Sequence, residues 1–260
     1  MRVNMSGWAG AALLLSSAFM VLQAGNASAV PICVGTCGTS GADGDVGLSP
    51  GTVAPHQYQW ISTDQGIFGA GQLPASHGVN GSQFTTDSFS AIAGDTLSYY
   101  FNYVSSDGDF GDAGDYAWAQ LQTSLGVPLV TLFTVGNAAA GDASPAPGFP
   151  ANAATLTPTG TSMSNAAPDW SPLGADSNMC FWGAGCGLTD WIKASYTIGA
   201  TGDYRLALGV TNGGDDLSNS GLAFDQIQVA VPEPATWPMV LFGFAGLGLL
   251  ALRTRQRKAA

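Results

Sequence analysis

Stretches of alternating apolar and polar residues recur along the middle of the chain, and they predict β-strands. In residues 96–104, TLSYYFNYV, every second residue from Leu97 to Tyr103 is a large apolar or aromatic one. Because successive side chains of a strand point to opposite faces, this stretch predicts a strand with one buried face. Other stretches predict further strands: residues 58–62, 83–89, 116–123, 129–135, 191–198, 204–211 and 222–229.

The segments between these strands are rich in glycine, aspartate, serine and threonine, which are turn residues. No amphipathic helix is evident between residues 30 and 231. About eight short strands with this spacing predict an all-β fold, a jelly-roll-like β-sandwich. Residues 136–168, rich in alanine, proline, threonine and glycine, predict a long loop or insertion.

The two ends of the chain carry apolar segments that we exclude from this fold. At the start, Arg2 precedes an apolar stretch over residues 8–22 and then the sequence Ala27-Ser28-Ala29. A basic start, an apolar middle and an A-x-A site predict a secretory signal peptide. We therefore expect residues 1–29 to be removed after Ala29 and the chain to leave the cytoplasm through the secretion translocon.

The other end contains Pro232-Glu233-Pro234, an apolar run over residues 239–252 and four basic residues. As a helix the apolar run rises about 21 Å, short of the roughly 30 Å hydrocarbon core. It predicts a transmembrane helix that anchors the protein weakly, with the basic end in the cytoplasm and the body outside. A plain single-pass anchor that is never cut is the alternative.

In its Pro-Glu-Pro triplet, the spacing to the apolar run and the basic end, the segment 232–260 resembles the PEP-CTERM sorting tail of Gram-negative surface proteins. The resemblance implies processing by a membrane protease of the exosortase type. It also implies transient anchoring, then a place at the cell surface or in the extracellular polysaccharide matrix. The body is similar to an uncharacterised family of PEP-CTERM proteins, which implies no activity. The segments concerned are residues 101–108, 115–121, 170–174, 185–192 and 220–225.

The charge of the body, residues 30–231, is strongly negative. It contains seventeen aspartates and no glutamate, with Lys193 and Arg205 as its basic residues, for a formal charge of −15. Phosphate binding needs cations, so nucleic acid and an anionic membrane surface are both disfavoured as partners.

Four cysteines remain in the body: Cys33, Cys37, Cys180 and Cys186. An even number in an oxidising compartment predicts disulfides. Three connectivities are possible, and we favour Cys33–Cys37 and Cys180–Cys186. A structural zinc site is the alternative, but neither pair has the C-x2-C spacing usual for zinc.

The densest group of acidic residues is Asp107, Asp109, Asp112 and Asp115, four carboxylates within nine residues between two predicted strands. Such carboxylates repel one another unless water or a cation lies between them. The group is interpreted either as a solvated turn or as a Ca²⁺ site, since Ca²⁺ takes oxygen ligands. Residues 212–216, NGGDD, are a hairpin loop or a second cation site.

Asp225 lies in the last predicted strand among apolar residues. Alternation without a bulge places it on the face of Ala223, Ile227 and Val229. A carboxylate there is costly unless it is hydrogen-bonded or paired, so we expect backbone donors or Arg205 as its partner. Ca²⁺ ligation is the alternative.

Aromatic residues are abundant, and most of them are expected to fill the core. Trp182, within the glycine-containing loop between Cys180 and Cys186, is the one expected to be exposed and able to stack on a ligand. No G-x-S-x-G or H-E-x-x-H motif is present. We therefore predict a non-enzymatic surface or matrix protein with a structural or adhesive role. The alternatives are a Ca²⁺-dependent module that binds extracellular polysaccharide and an exported hydrolase that uses a pair of aspartates.

Overall fold

A computed structural model describes residues 31–74, 78–108 and 114–231. These residues form strands and one short 3-10 helix, Ser171–Asp176, so the all-β expectation is confirmed. The signal peptide, the sorting tail and the transmembrane helix predicted at residues 239–252 lie outside the described residues. Within the described ranges, no helix has the length and apolar character needed to cross a membrane.

The strands, in chain order, are β1 Ile32–Val34, β2 Thr36–Ser40, β3 Tyr58–Ser62, β4 Ile67–Phe68, β5 Asn80–Thr85, β6 Phe89–Ala91, β7 Thr96–Ser105, β8 Tyr116–Thr123, β9 Pro128–Gly136, β10 Thr155–Thr157, β11 Gly187–Leu188, β12 Ile192–Thr197, β13 Gly202–Thr211 and β14 Ser220–Ala230.

They form two antiparallel sheets of seven strands each. The first sheet has the order β1-β5-β13-β8-β9, with β4 also on β5 and β6 also on β13. The second has the order β10-β12-β7-β14-β3-β2, with β11 also on β7.

Aromatic contacts join the two sheets face to face. Phe101 of β7 stacks on Phe133 of β9 with ring centroids 3.9 Å apart, and Phe84 of β5 lies 5.1 Å from Phe224 of β14. The predicted alternation in β7 holds, because Leu97 and every second residue after it to Tyr103 belong to this shared core and are fully buried. Burial of these large side chains is the main stabilising contribution to the fold.

The outer face of the second sheet is covered as well. Trp170, fully buried, packs there with Tyr58 and Ala223, and its indole N–H donates to the Tyr58 hydroxyl at 2.9 Å. The loops flanking the 3-10 helix therefore bury a second apolar layer, which explains why strands of this sheet are apolar on both faces.

The continuous strand predicted at residues 83–89 is wrong, since β5 ends at Thr85 and β6 starts at Phe89. The partner β13 pairs Ala207 with Thr85 and Tyr204 with Phe89, so three residues lie opposite two. This extra residue interrupts the ladder as a bulge does.

The segment predicted as a long loop or insertion, residues 136–168, packs against the two sheets. The segment contains β10, which pairs with β12, and it buries Ala143, Leu156 and Met163 against the core. The Ala154 N–H also donates to the Leu132 carbonyl at 2.9 Å. This segment therefore covers part of the edge strand β9 and extends the second sheet.

Candidate functional site

A network of polar side chains occupies one end of the two sheets, where β7 and β13 end and β8 and β14 begin. We call it the polar end. The backbone pairs Ser105 with Ser220 in the second sheet and Tyr116 with Thr211 in the first. These pairings bring together the loops that carry Asp107, Asp115 and residues 212–216, although they are distant in sequence.

Asp115 is the centre of this network. Its carboxylate accepts hydrogen bonds from the Ser220 hydroxyl at 2.6 Å and from the Gly213 N–H at 2.9 Å. The residue is only 4% exposed. Because Asp115 leads into the first sheet and Ser220 begins β14 of the second, the carboxylate bridges the two sheets.

Asp107 extends the network toward the surface. It is half-buried, and its carboxylate accepts a hydrogen bond from the Asn137 amide at 3.3 Å. The oxygen of the same amide accepts a hydrogen bond from the Tyr103 hydroxyl at 2.8 Å, and the Tyr103 oxygen also lies 3.3 Å from the Ser220 hydroxyl. Asp107 and Asp115 are thus connected through hydrogen-bonded side chains.

Both carboxyl groups have raised pKa values. Burial, followed by the charge of Asp107, raises the pKa of Asp115 to about 8. Burial, followed by the charge of Asp215, raises the pKa of Asp107 to about 6. In both cases the charged form is disfavoured by lost hydration and by a neighbouring negative charge, and a bound cation would reverse this balance.

Residues 212–216 connect β13 of the first sheet to β14 of the second, so the predicted hairpin loop is instead a crossover between sheets. Asp215 is exposed, whereas Asn212 is 1% exposed. The side-chain oxygen and nitrogen of Asn212 are buried with no hydrogen-bond partner, one residue from the Gly213 N–H that binds Asp115. An unsatisfied buried amide is costly and favours a polar group or ion nearby.

The predicted Ca²⁺ ligands are only partly located. Asp109 and Asp112 lie outside the described residues, while the charges of Asp107 and Asp115 interact. Among the described residues, no three histidine, cysteine, aspartate or glutamate side chains are grouped to hold a metal. Asp225 lies five residues beyond Ser220 along β14, about 17 Å away, so it belongs to a different place.

At Asp225 the structure corrects two expectations. The pairing of β14 with β7 shifts after Asp225, and Gln226 has a positive φ of 51°. This bulge turns Ile227 and Val229 toward the shared core, so Asp225 is not on their face.

Of the expected partners of Asp225, a backbone donor is present, the Gln226 N–H, whereas His56 stands in the place predicted for Arg205. The imidazole Nε2 lies 2.7 Å from the carboxylate, which also accepts bonds from the Ser49 hydroxyl and from the Gln226 N–H. His56 was not predicted because it is 169 residues away and has no local pattern that points to Asp225. The serine donates to the carboxylate and not to the imidazole, so these three residues do not form a nucleophilic triad.

The two predicted cysteine pairs lie at disulfide-bonding distance. Cys33 and Cys37, with Cα atoms 6.3 Å apart, connect β1 of the first sheet to β2 of the second. Cys180 and Cys186, with Cα atoms 5.6 Å apart, close the loop that carries Trp182.

Trp182 is 61% exposed, and its loop lies against the polar end. The Phe181 N–H donates to the Ser106 carbonyl at 2.8 Å. A Cβ on Gly108 would approach the Phe181 carbonyl oxygen to 2.6 Å, so only glycine permits this close backbone contact. An exposed indole therefore lies on a disulfide-closed loop beside Asp107.

The described residues therefore define an all-β protein with two cysteine pairs at disulfide-bonding distance. The chain carries the PEP-CTERM protein-sorting motif, whose family model matches residues 230–258. It is therefore an exported protein with a C-terminal membrane-anchoring signal that is sorted by an exosortase, a membrane protease-like enzyme. Neither the curated proteins nor the solved structures include a match to this chain.

Proposed function

We propose that the body is a jelly-roll-like β-sandwich displayed at the cell surface or in the extracellular matrix, where it has a non-catalytic structural or adhesive role. The observation that carries the adhesive part is Trp182, 61% exposed and held by a disulfide beside Asp107. Exposed aromatic faces contribute large contact areas at low entropic cost, and sugar rings stack on them.

A Ca²⁺-dependent interaction with extracellular polysaccharide is the finer form of this proposal. The raised pKa values of Asp107 and Asp115 mean that the folded protein lacks a compensating positive charge there. A Ca²⁺ ion bound by these carboxylates would supply that charge, and the buried unpartnered amide of Asn212 provides one more oxygen close by. Asp109 and Asp112 complete the proposed ligand set and lie outside the described residues.

An exported hydrolase that uses an aspartate pair has weaker support. Such an enzyme needs two carboxyl groups facing one substrate. Asp115 is 4% exposed and both of its oxygens accept hydrogen bonds, so its carboxyl group is not free to face a substrate.

The test is retention of the exported protein on the polysaccharide matrix of an exopolysaccharide-producing bacterium, with Ca²⁺ and after chelation. We expect chelation and the variants Trp182→Ala and Asp107→Asn each to reduce retention severalfold. Calorimetry with Ca²⁺ alone should show binding and a rise in melting temperature that Asp107→Asn removes, since a ligand of the native state stabilises it.

Phe68→Ala is the matched control, because Phe68 is an aromatic residue that is 82% exposed in the short strand β4 and lies outside the Trp182 loop. Equal loss of retention for Phe68→Ala and Trp182→Ala would show that retention depends on exposed hydrophobic area in general and not on Trp182. If neither chelation nor Trp182→Ala changes retention, the adhesive proposal is wrong and a structural role remains.

A further inference from the structure

The end of the body opposite the polar end is the one from which the chain enters the sorting motif. Ala230, the last residue of β14, pairs with Thr96, and Thr96 pairs with Thr197. The turn at residues 92–95, the hairpin at 124–127 and the turn at 198–201 therefore lie together with Val231. We call these three turns and Val231 the tail-side end.

Large apolar side chains are exposed on the tail-side end. Leu125 and Val127, at the tip of the hairpin between β8 and β9, are 88% and 56% exposed. Ile92, in the neighbouring turn, is 53% exposed, and Val231 is 64% exposed. Residues at the tips of turns in soluble proteins are usually polar. A group of exposed apolar side chains next to Val231, where the chain leaves the body, therefore indicates that this end contacts an apolar surface.

Three carboxylates of the described residues lie at or beside the tail-side end, and two of them are wholly or partly buried. Asp95 is 3% exposed and accepts the Ile92 N–H at 2.9 Å, so it faces inward. Asp203 is exposed and accepts a hydrogen bond from the Ser90 hydroxyl at 2.6 Å, and Asp87 is half-buried. The polar end, in contrast, carries a larger acidic group: Asp64, Asp107, Asp115, Asp176, Asp215 and Asp216.

The uneven distribution of carboxylates between the two ends changes what the negative net charge implies about contact with a membrane. A uniformly acidic body is repelled by anionic lipid headgroups. Here β7 spans the body from Thr96 to Ser105, so the acidic polar end lies about 30 Å from the tail-side end, well beyond the Debye length of about 8 Å. The repulsion therefore acts mainly on the end that is far from the chain exit.

The connection to the apolar run is short. Seven residues, 232–238, separate Val231 from Met239, and even a fully extended chain of this length reaches at most about 25 Å. An anchored body thus stays close to the bilayer, and the tail-side end is the part that the connection brings nearest to it.

We propose that, while the protein is anchored, the tail-side end rests on the lipid surface with Leu125 and Val127 inserted among the headgroups. The polar end and Trp182 then point away from the membrane. The proposal depends on the membrane-anchoring signal of the sorting motif and not on polysaccharide binding. This contact holds the polar end away from the membrane before the tail is processed.

The test uses the full chain reconstituted into vesicles of phosphatidylethanolamine with a minor share of phosphatidylglycerol. A fluorophore is attached at Leu125→Cys or, as the matched control, at Leu217→Cys, an exposed leucine of the polar end loop. Quenching by lipids with a nitroxide at the headgroup is expected to be severalfold stronger at position 125. Adding Val127→Asp should reduce that quenching toward the control level.

Equal quenching at the two positions would overturn the proposal. So would a probe at position 125 that is shielded from aqueous iodide but not quenched by lipid, since this indicates contact with a protein partner. Failure of the full chain to enter the vesicles would refute the anchor on which the proposal depends, while retention on polysaccharide would still be measurable.

Discussion

The hydroxyl of Ser220 lies 2.6 Å from the carboxylate of Asp115 and joins the two sheets at one end of the core. Ser220 is fully buried and Asp115 is 4% exposed, so the bond is shielded from water. A carboxyl group in such a place is costly when charged, which explains its raised pKa. This hydrogen bond fixes the loop before β8 to the start of β14.

The raised pKa of Asp115 predicts that the protein loses stability as the pH rises. The folded pKa of about 8 exceeds the value of 3.8 for the unfolded chain, so the folded state binds more protons between these values. The contribution of Asp115 to the free energy of unfolding is fully present below pH 3.8 and is lost as the pH rises through about 8. Its upper limit is about 6 kcal/mol, from a pKa raised by roughly 4 at ~1.4 kcal/mol per pKa unit.

Asp115→Asn removes this titration and retains an oxygen acceptor, so the free energy of unfolding of the variant should depend less on pH between 5 and 9. Denaturant unfolding at several pH values in the absence of Ca²⁺ measures it. Asp216→Asn, at an exposed aspartate, is the control and should follow the unmodified protein. Parallel profiles for Asp115→Asn and the unmodified protein would contradict the assignment.

Gly108→Ala should lower the melting temperature and loosen the Trp182 loop. The added Cβ would lie 2.6 Å from the Phe181 carbonyl oxygen and 3.1 Å from that of Ala184. Because both atoms belong to the backbone, the loop must move, at a cost of about 1–3 kcal/mol. Thermal unfolding and hydrogen exchange of residues 180–186 measure the two effects.

Gly199→Ala provides the comparison, since a Cβ there meets no atom within 4 Å. It should leave the melting temperature unchanged or raise it slightly, because alanine restricts the unfolded chain. Similar melting temperatures for the two variants would show that the backbone contact at Gly108 is not tight.

Replacing Cys180 and Cys186 together by alanine should destabilise the protein by about 2 kcal/mol, since the bond closes a short loop. Retention on polysaccharide should fall as well, because Trp182 loses its fixed position. The control removes the other disulfide, by Cys33→Ala together with Cys37→Ala. It should lower stability without a specific effect on retention. Unchanged retention in the Cys180 and Cys186 variant would show that adhesion does not depend on the disulfide-closed loop.

The longer strands were predictable because their information is local. In β7 and β13 the alternation of apolar residues marks both the strand and its buried face. The short strands β1, β4 and β11, of two or three residues, are too brief for a pattern, and they form because a longer neighbour offers free backbone groups. Residues 83–89 were misjudged because the interruption is imposed by pairing with β13.

The candidate site was predictable in composition and not in arrangement. The density of aspartates at residues 107–115 marked the polar end, and the glycines beside Trp182 marked an exposed loop. The pairing of Asp225 with His56 depends on a contact across 169 residues, which no local pattern encodes. The same holds for Ser220, which reaches Asp115 from the other sheet.

By itself the sequence determined the sorting motif of this protein and its all-β class, and it favoured the cysteine pairing that the structure shows. Composition, short motifs and alternation carry that information, because each depends on neighbouring residues in the chain. Only the tertiary structure decided which carboxyl groups are buried together, and that the acidic end and the chain exit lie at opposite ends. Burial, charge interaction and sheet pairing act between residues far apart in sequence, so they exist only once the two sheets have packed.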